Sequence, residues 1–294
     1  MYLLLPLAAA VVFALGSMVY KRAFAEGAGV VHALVVNNLV LGIAFLPLLL
    51  LEAKPVPWHH WHMPLLTALA FLAGHLLNVV SLRVGDVSVA TPLLGAKVIF
   101  VALVGWMVFG TRLNTAQWMS AGLATAGVVV MGLTDFRSSG RMGLTTVTAL
   151  GCALAFALVD TMIEVWGGGF GVWSFLSLQF AGLGLLSLAT LPLFGVRSLR
   201  APRSAWKWVA AASVLSGLQA ILVTCSIGFW RDAAGVNVVY ATRGLWSIVL
   251  VWCAGHWLRN TERASAGAKK MGLRLAGAML ILAAVVITAK SAAR

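Results

Sequence analysis

The chain of 294 residues is 61% hydrophobic and only 10% charged, and its mean hydropathy is +0.97. A soluble domain has about 25% charged residues, so this composition excludes a soluble fold and predicts an all-α membrane protein that crosses the bilayer many times. Lys and Arg number 21 against 8 Asp and Glu, but they lie in short segments between apolar runs, which indicates membrane topology rather than nucleic acid as a partner.

Apolar runs of about 20 residues, the length that crosses a bilayer as a helix, follow one another along the whole chain. Their connections are short, and no run alternates in polarity as a barrel strand would. Ten transmembrane spans are predicted, at Tyr2–Tyr20, Val30–Leu51, Met63–Leu82, Val87–Phe109, Thr115–Leu133, Gly143–Trp166, Val172–Phe194, Trp206–Trp230, Gly235–Trp257 and Met271–Lys290.

The two halves of the chain are weakly similar. Phe13-Ala14-Leu15 matches Phe156-Ala157-Leu158, and a shift of 146 residues places Arg243 on Lys97. We therefore predict two five-helix repeats, residues 1–134 and 143–294, joined by a loop at residues 135–142. Because five is an odd number, the second repeat enters the membrane inverted. Inverted repeats are typical of secondary transporters, whose binding site lies near the midplane between the halves.

Lys97 and Arg243 are the strongest candidates for a substrate site. Lys97 lies about 15 Å from either end of its span, too far for its side chain to reach water. An ionised group at such depth costs at least about 2.5 kcal/mol and usually faces a cavity. Two cations on equivalent spans would bind a carboxylate or phosphate between them. The alternative is that each cation pairs permanently with a carboxylate and only fixes the bundle.

Four further polar residues are candidates for the same site. Asp160, in the sixth span, could neutralise Lys97 or Arg243, bind a substrate amine, or carry a proton. His75 and Asn78 lie three residues apart and share a face of the third span. The remaining candidate is Tyr240, a polar side chain within span nine.

No cofactor or metal is expected. His59, His60 and His62 lie close together in one loop, but adjacent histidines are poorly placed to converge on an ion, and no acidic or thiol ligand follows them. Aromatic and histidine side chains beside a span end are typical of the membrane interface.

Small residues four apart recur in spans five and ten, where they predict close helix contacts within the fold or in a homodimer. These pairs are Gly122 with Ala126 and Gly272 with Ala276. Most Lys and Arg residues of the connections follow the odd-numbered spans. The positive-inside rule therefore predicts cytoplasmic loops there and both termini outside.

Three short motifs resemble a known family. They are Asn78-Val79-Val80-Ser81-Leu82, Val87-Ser88-Val89-Ala90-Thr91-Pro92-Leu93, and Gln117-Trp118 followed by Gly122. Together with ten spans in two repeats, they make the chain similar to the EamA-type ten-helix branch of the drug/metabolite transporter superfamily. The resemblance implies a secondary carrier whose cavity is lined by spans one, three, four, six, eight and nine, with spans five and ten at the periphery.

The expected function is a secondary active transporter of a small metabolite with an anionic group: an amino acid, organic acid or phosphorylated compound. A broad exporter of amphipathic or aromatic compounds is the alternative, and a membrane scaffold or intramembrane lipid enzyme is a distant one. The sequence has no G-x-S-x-G, H-E-x-x-H or nucleotide-binding loop, so we expect no enzyme and an energy source in a proton gradient or an exchanged metabolite. The expected location is the inner cell membrane.

Overall fold

The computed structural model describes residues 3–84, 93–132, 142–194, 201–254 and 268–292, and the regular structure in these ranges is helical. Short 3-10 segments lie at Leu46–Leu51 and Trp58–His60, and a one-turn helix at Leu191–Phe194. The main helices are α1 (Leu4–Ala25), α2 (Val30–Phe45), α3 (His62–Val84), α4 (Lys97–Phe109), α5 (Thr115–Gly132), α6 (Met142–Phe170), α7 (Val172–Ala189), α8 (Arg203–Trp230), α9 (Ala233–Tyr240), α10 (Arg243–Ala254) and α11 (Ala268–Ala292).

Seven helices in the described ranges are long and apolar enough to cross a membrane, and they correspond to predicted spans one, two, three, six, seven, eight and ten. Large apolar side chains cover the outside of the bundle; Leu50 is 87% exposed and Leu185 71%. Such a surface is stable in lipid but not in water. The prediction of an all-α integral membrane protein is confirmed, whereas the count of ten spans stays a prediction.

Spans two and seven both end in an irregular turn at a proline. Helix α2 stops at Phe45, and the 3-10 segment that follows contains Pro47. Helix α7 stops at Ala189, and Pro192 lies in the one-turn helix after it. Proline has no amide hydrogen to donate to the preceding turn, which explains why these spans do not continue as single helices to their predicted ends.

Span nine, which the sequence predicted as one continuous helix, is broken into α9 and α10. Ala241 and Thr242 form a turn between α9 and α10, and the Thr242 amide donates to the Val239 carbonyl three residues earlier, at 3.1 Å. The backbone before α4 has the same break. Gly95 and Ala96 form the turn there, and the Ala96 amide donates to the Leu93 carbonyl at 3.1 Å.

These two breaks coincide under the 146-residue shift that relates Lys97 to Arg243. Each cation is the first residue of the helix that follows its break, α4 or α10. The next bonds also correspond, because the amides of Val98 and Gly244 each donate to a carbonyl three residues earlier at 3.3 Å. Interrupted helices at membrane depth are tolerated where they line a cavity or are enclosed by protein. Lys97 and Arg243 therefore occupy equivalent positions, each directly after a break in the backbone.

Glycine pairs let equivalent helices approach closely. A Cβ atom added at Gly42 in α2 would lie 3.1 Å from the carbonyl oxygen of Phe180, and one at Gly184 in α7 would lie 3.3 Å from that of Asn38. Gly184 lies 142 residues after Gly42, and Phe180 lies 142 residues after Asn38, so the two contacts are equivalent in the two halves of the chain. Helices α2 and α7 therefore cross about a local two-fold axis.

Helices α5 and α11 cross in the same manner at Gly127 and Gly277. A Cβ atom at either glycine would lie within 2.7 Å of the other's carbonyl oxygen. The sequence placed this contact at Gly122 and Gly272, but an added Cβ at either would meet no atom of the described chain within 4 Å. The crossing lies five residues farther along both helices, and a homodimer contact at Gly122 and Gly272 stays a prediction.

Helix packing repeats across the two halves of the chain. The contact between α1 and α8 corresponds to the contact between α3 and α6, and the contact between α2 and α8 corresponds to that between α3 and α7. In the same way, the contact of α4 with α6 corresponds to the contact of α1 with α9 and α10. Helix α5 packs mainly against α11. This arrangement places α9 in contact with α1, α4 and α6, the helices that hold Phe13, Lys97 and Asp160.

Candidate functional site

A short ion pair joins α4 to α6 inside the bundle. The ammonium nitrogen of Lys97 lies 2.6 Å from Oδ2 of Asp160, and the two side chains are 14% and 6% exposed. Charges this poorly hydrated stabilise the fold only when they are paired, because removing each from water costs several kcal/mol. Of the roles that the sequence left open for Asp160, the structure therefore shows neutralisation of Lys97.

Asn237 on α9 completes this pair. Its side-chain amide donates to the same Oδ2 of Asp160 at 2.6 Å and to the Ala233 carbonyl at 2.9 Å. Both donors thus engage one carboxylate oxygen. Asn237 is not among the site residues predicted from the sequence, where its only distinguishing signal is its position six residues before Arg243.

Arg243 lies between two aromatic rings. The guanidinium carbon is 4.5 Å from the ring centre of Tyr240 and 5.2 Å from that of Phe13 on α1, and the two rings meet edge to face at 79°. Cation–π contacts attract the guanidinium through its charge and do not use its N–H donors. Among the described residues, no carboxylate lies within ion-pair distance of Arg243.

Helix α9 connects the ion pair to the guanidinium. Asn237, which holds Asp160, and Tyr240, which stacks on Arg243, lie three residues apart and share a face of α9. The site is therefore built from spans one, four, six and nine.

His75 lies beside this site rather than in contact with its charges. Its ring packs edge to face on Phe71 at 4.8 Å and on Phe156 at 5.5 Å, and its Nδ1 is buried without a partner in the described chain. Phe156 precedes Asp160 by one turn of α6. Asn78, on the next turn of α3, is half-buried, and no hydrogen bond links it or His75 to the charged residues described above.

A second polar group lies one turn farther along α6, where α8 meets α9. The Glu164 side chain accepts a hydrogen bond from the Ala233 amide, and Arg231 Nε donates to the Glu164 carbonyl oxygen at 3.3 Å. Asp232 caps α9 by accepting from the Gly235 amide at 2.9 Å. These residues satisfy the backbone at the α8–α9 junction, so they form a separate group from the Lys97 pair.

No group of three or more His, Cys, Asp and Glu that could hold a metal ion occurs in the described part of the chain. The rings of His59 and His60 lie 4.0 Å apart and are tilted by 47°, and His60 meets His62 edge to face at 5.9 Å.

Comparison with known proteins agrees with this fold. A solved structure described only as a crystal structure of a protein superposes with a TM-score of 0.74, covering 100% of this chain and 99% of the other at 17% identity, and so shares the fold. No curated protein matches the sequence. Residues 1–133 match the EamA-like transporter family. The first half of the chain is therefore similar to this family of membrane transporters, which is the family that the sequence motifs resemble.

Proposed function

We propose that the protein is a secondary active transporter that moves a small metabolite with an anionic group, such as an amino acid, organic acid or phosphorylated compound, by alternating access. The observation that carries this proposal is the guanidinium of Arg243, which lies beside a buried ion pair and has no carboxylate partner of its own among the described residues. A cation in such a place is costly unless a ligand neutralises it during the cycle.

Arg243 is the primary anion contact in this proposal. Its edge N–H groups match the two oxygens of a carboxylate or phosphate, and the flanking rings of Phe13 and Tyr240 hold its plane in one orientation. The sequence suggested that Lys97 and Arg243 would hold the anion as equals. Because Lys97 is engaged by Asp160, it takes a secondary role and contributes to binding only by its proximity.

Alternating access would arise from movement of the two five-helix repeats about this site. The equivalent helix breaks before Lys97 and Arg243 and the two-fold glycine crossings support this mechanism. A proton gradient or an exchanged metabolite supplies the energy, and the inner cell membrane is the proposed location. His75, Asn78 and Tyr240 are the proposed neighbours of the substrate.

A second candidate function is broad export of amphipathic or aromatic compounds. Phe13 is 38% exposed at the site, although it lies in an interior-packed helix, and its ring is available to stack on an aromatic substrate. In that case transport would depend on Phe13 and Tyr240 more than on the charge of Arg243. A panel that compares aromatic anions with their uncharged analogues separates the two functions.

The proposal is tested by uptake into proteoliposomes that contain the purified protein. Anionic and uncharged metabolites are compared in the wild type, in Arg243→Gln and in Arg112→Gln, which removes an exposed cation in the connection between α4 and α5. We expect Arg243→Gln to lose at least about 90% of anion uptake and Arg112→Gln to keep it. Normal anion uptake by Arg243→Gln, eluting as a monodisperse protein, would refute the proposal.

A further inference from the structure

The charged groups at the proposed site do not sum to zero. Lys97 and Asp160 cancel each other at 2.6 Å, and Arg243 adds one positive charge that no described carboxylate contacts. Glu164, Asp232 and Arg231 lie at the α8–α9 junction and form a separate group there. The charges of Lys97, Asp160 and Arg243, the described residues of the site proper, therefore sum to +1.

A poorly hydrated site strongly favours a ligand that brings its net charge to zero. One negative charge on the ligand neutralises Arg243, whereas a second would be left without a counter-charge in a region where hydration cannot replace it. The ammonium of Lys97 could neutralise a second negative charge on the ligand, but it is already paired with the carboxylate of Asp160. Asn237 holds the carboxylate in that position by donating to the same oxygen.

We propose that Asp160 is a specificity-determining residue that limits the substrate to a single negative charge, by cancelling Lys97 and leaving Arg243 as the one cation to be neutralised. This inference rests on the proposed function and narrows it: the favoured ligand is a monoanion, and a dianion is rejected. Asp160 acts through Lys97 and need not touch the substrate.

The charge count predicts a distinct outcome for each change in the pair. Asp160→Asn leaves two cations and shifts the preference to a dianion. Lys97→Gln leaves Asp160 facing Arg243 with a net charge of zero and weakens monoanion binding by at least about tenfold. The double variant Lys97→Gln/Asp160→Asn returns the site to +1. It therefore recovers the preference for a monoanion, at an affinity reduced by the altered packing.

The experiment measures the affinities of anions that are matched in shape and differ in charge. Succinate and its monoamide succinamate form one pair, and terephthalate and its monoamide form an aromatic pair. Ligand-induced thermal shifts of the purified protein in detergent report binding, because a ligand of the folded state raises its stability. We expect the wild type and the double variant to favour the monoanion by at least about tenfold, and Asp160→Asn to favour the dianion by a similar factor.

An Asp160→Asn protein that keeps the wild-type ratio within about threefold would overturn the inference, as would a double variant that prefers the dianion. If Asp160→Asn does not fold, the Lys97→Gln variant tests the inference instead. Full affinity for the monoanion in that variant would contradict the charge count. Loss of all anion binding in Arg243→Gln with an unchanged ratio in Asp160→Asn would support the proposed function and overturn only the limit on charge. Failure of the wild type to bind any of the four anions would count against both.

Discussion

Lys97 and Asp160 meet across the α4–α6 interface with 2.6 Å between the ammonium nitrogen and the carboxylate Oδ2. Each residue would be destabilising alone at membrane depth, and each is tolerated because of the other. The pair also takes Lys97 out of competition for an anion. One contact thus serves the stability of the bundle and, in our proposal, the selectivity of the site.

Replacing one residue of this ion pair should destabilise the protein more than replacing both. Lys97→Gln or Asp160→Asn alone leaves one buried charge without its partner and should destabilise the protein by about 3–5 kcal/mol. The double variant leaves no uncompensated charge and should recover at least half of that loss. Thermal unfolding of the four proteins in detergent measures this cycle, and additive losses would show that the pair contributes nothing to the fold.

The glycine crossing of α5 and α11 should be sensitive to a single methyl group. Gly127→Ala places a Cβ atom about 2.7 Å from a backbone oxygen of α11, and such overpacking costs about 1–3 kcal/mol. Gly122→Ala is the matched control on the same helix, because its added Cβ meets no described atom within 4 Å. It should be neutral or slightly stabilising by helix propensity. Equal unfolding temperatures for the two variants would contradict the observed crossing.

Gly171, between α6 and α7, should not tolerate a side chain. Its φ of +101° is strained for any other residue, and an added Cβ would lie 2.7 Å from Oε2 of Glu52. We expect Gly171→Ala to destabilise the protein by about 1–3 kcal/mol. Gly169→Ala is the control, since that glycine is helical and has open space around it. Differential scanning fluorimetry compares the two, and a harmless Gly171→Ala would argue against this backbone conformation.

We expect the aromatic rings of Phe13 and Tyr240 to support substrate binding through their contacts with Arg243. Phe13→Leu removes one face of the cation–π contact and should raise the apparent KM for an anionic substrate by about three- to tenfold, because the guanidinium loses its fixed orientation. Tyr240→Phe keeps the ring and should change KM by less than about twofold. Concentration-dependent uptake into proteoliposomes gives both values. A larger effect of Tyr240→Phe would indicate that its hydroxyl, not its ring, serves the site.

Both termini should lie outside the cytoplasm if the loop charges determine the orientation. Alkaline phosphatase fused to the C-terminus should be active, whereas a fluorescent protein that matures only in the cytoplasm should be dark at the same position. The opposite result would invert the topology and leave the site itself unchanged.

Several properties of this protein follow from the sequence alone. Apolar runs of bilayer length predict membrane helices because hydrophobicity is a local property that does not depend on neighbours in space. The depth of Lys97 and Arg243 within such runs marks them as unusual by the same reasoning, since the cost of a charge follows from its distance to water. Their equivalence was visible as a shift of 146 residues, and the structure adds matching breaks in the backbone.

Only the tertiary structure decided how these residues meet. From the sequence, Asp160 could pair with either Lys97 or Arg243. Helix packing brings its carboxylate to Lys97, and Asn237 is a second donor to it. Phe13 gave no sign in the sequence that it would cover Arg243, and the break at Ala241 and Thr242 was hidden in a continuous apolar run. Contacts of this kind depend on which helices are neighbours, and hydrophobic periodicity within one span contains no information on its neighbours.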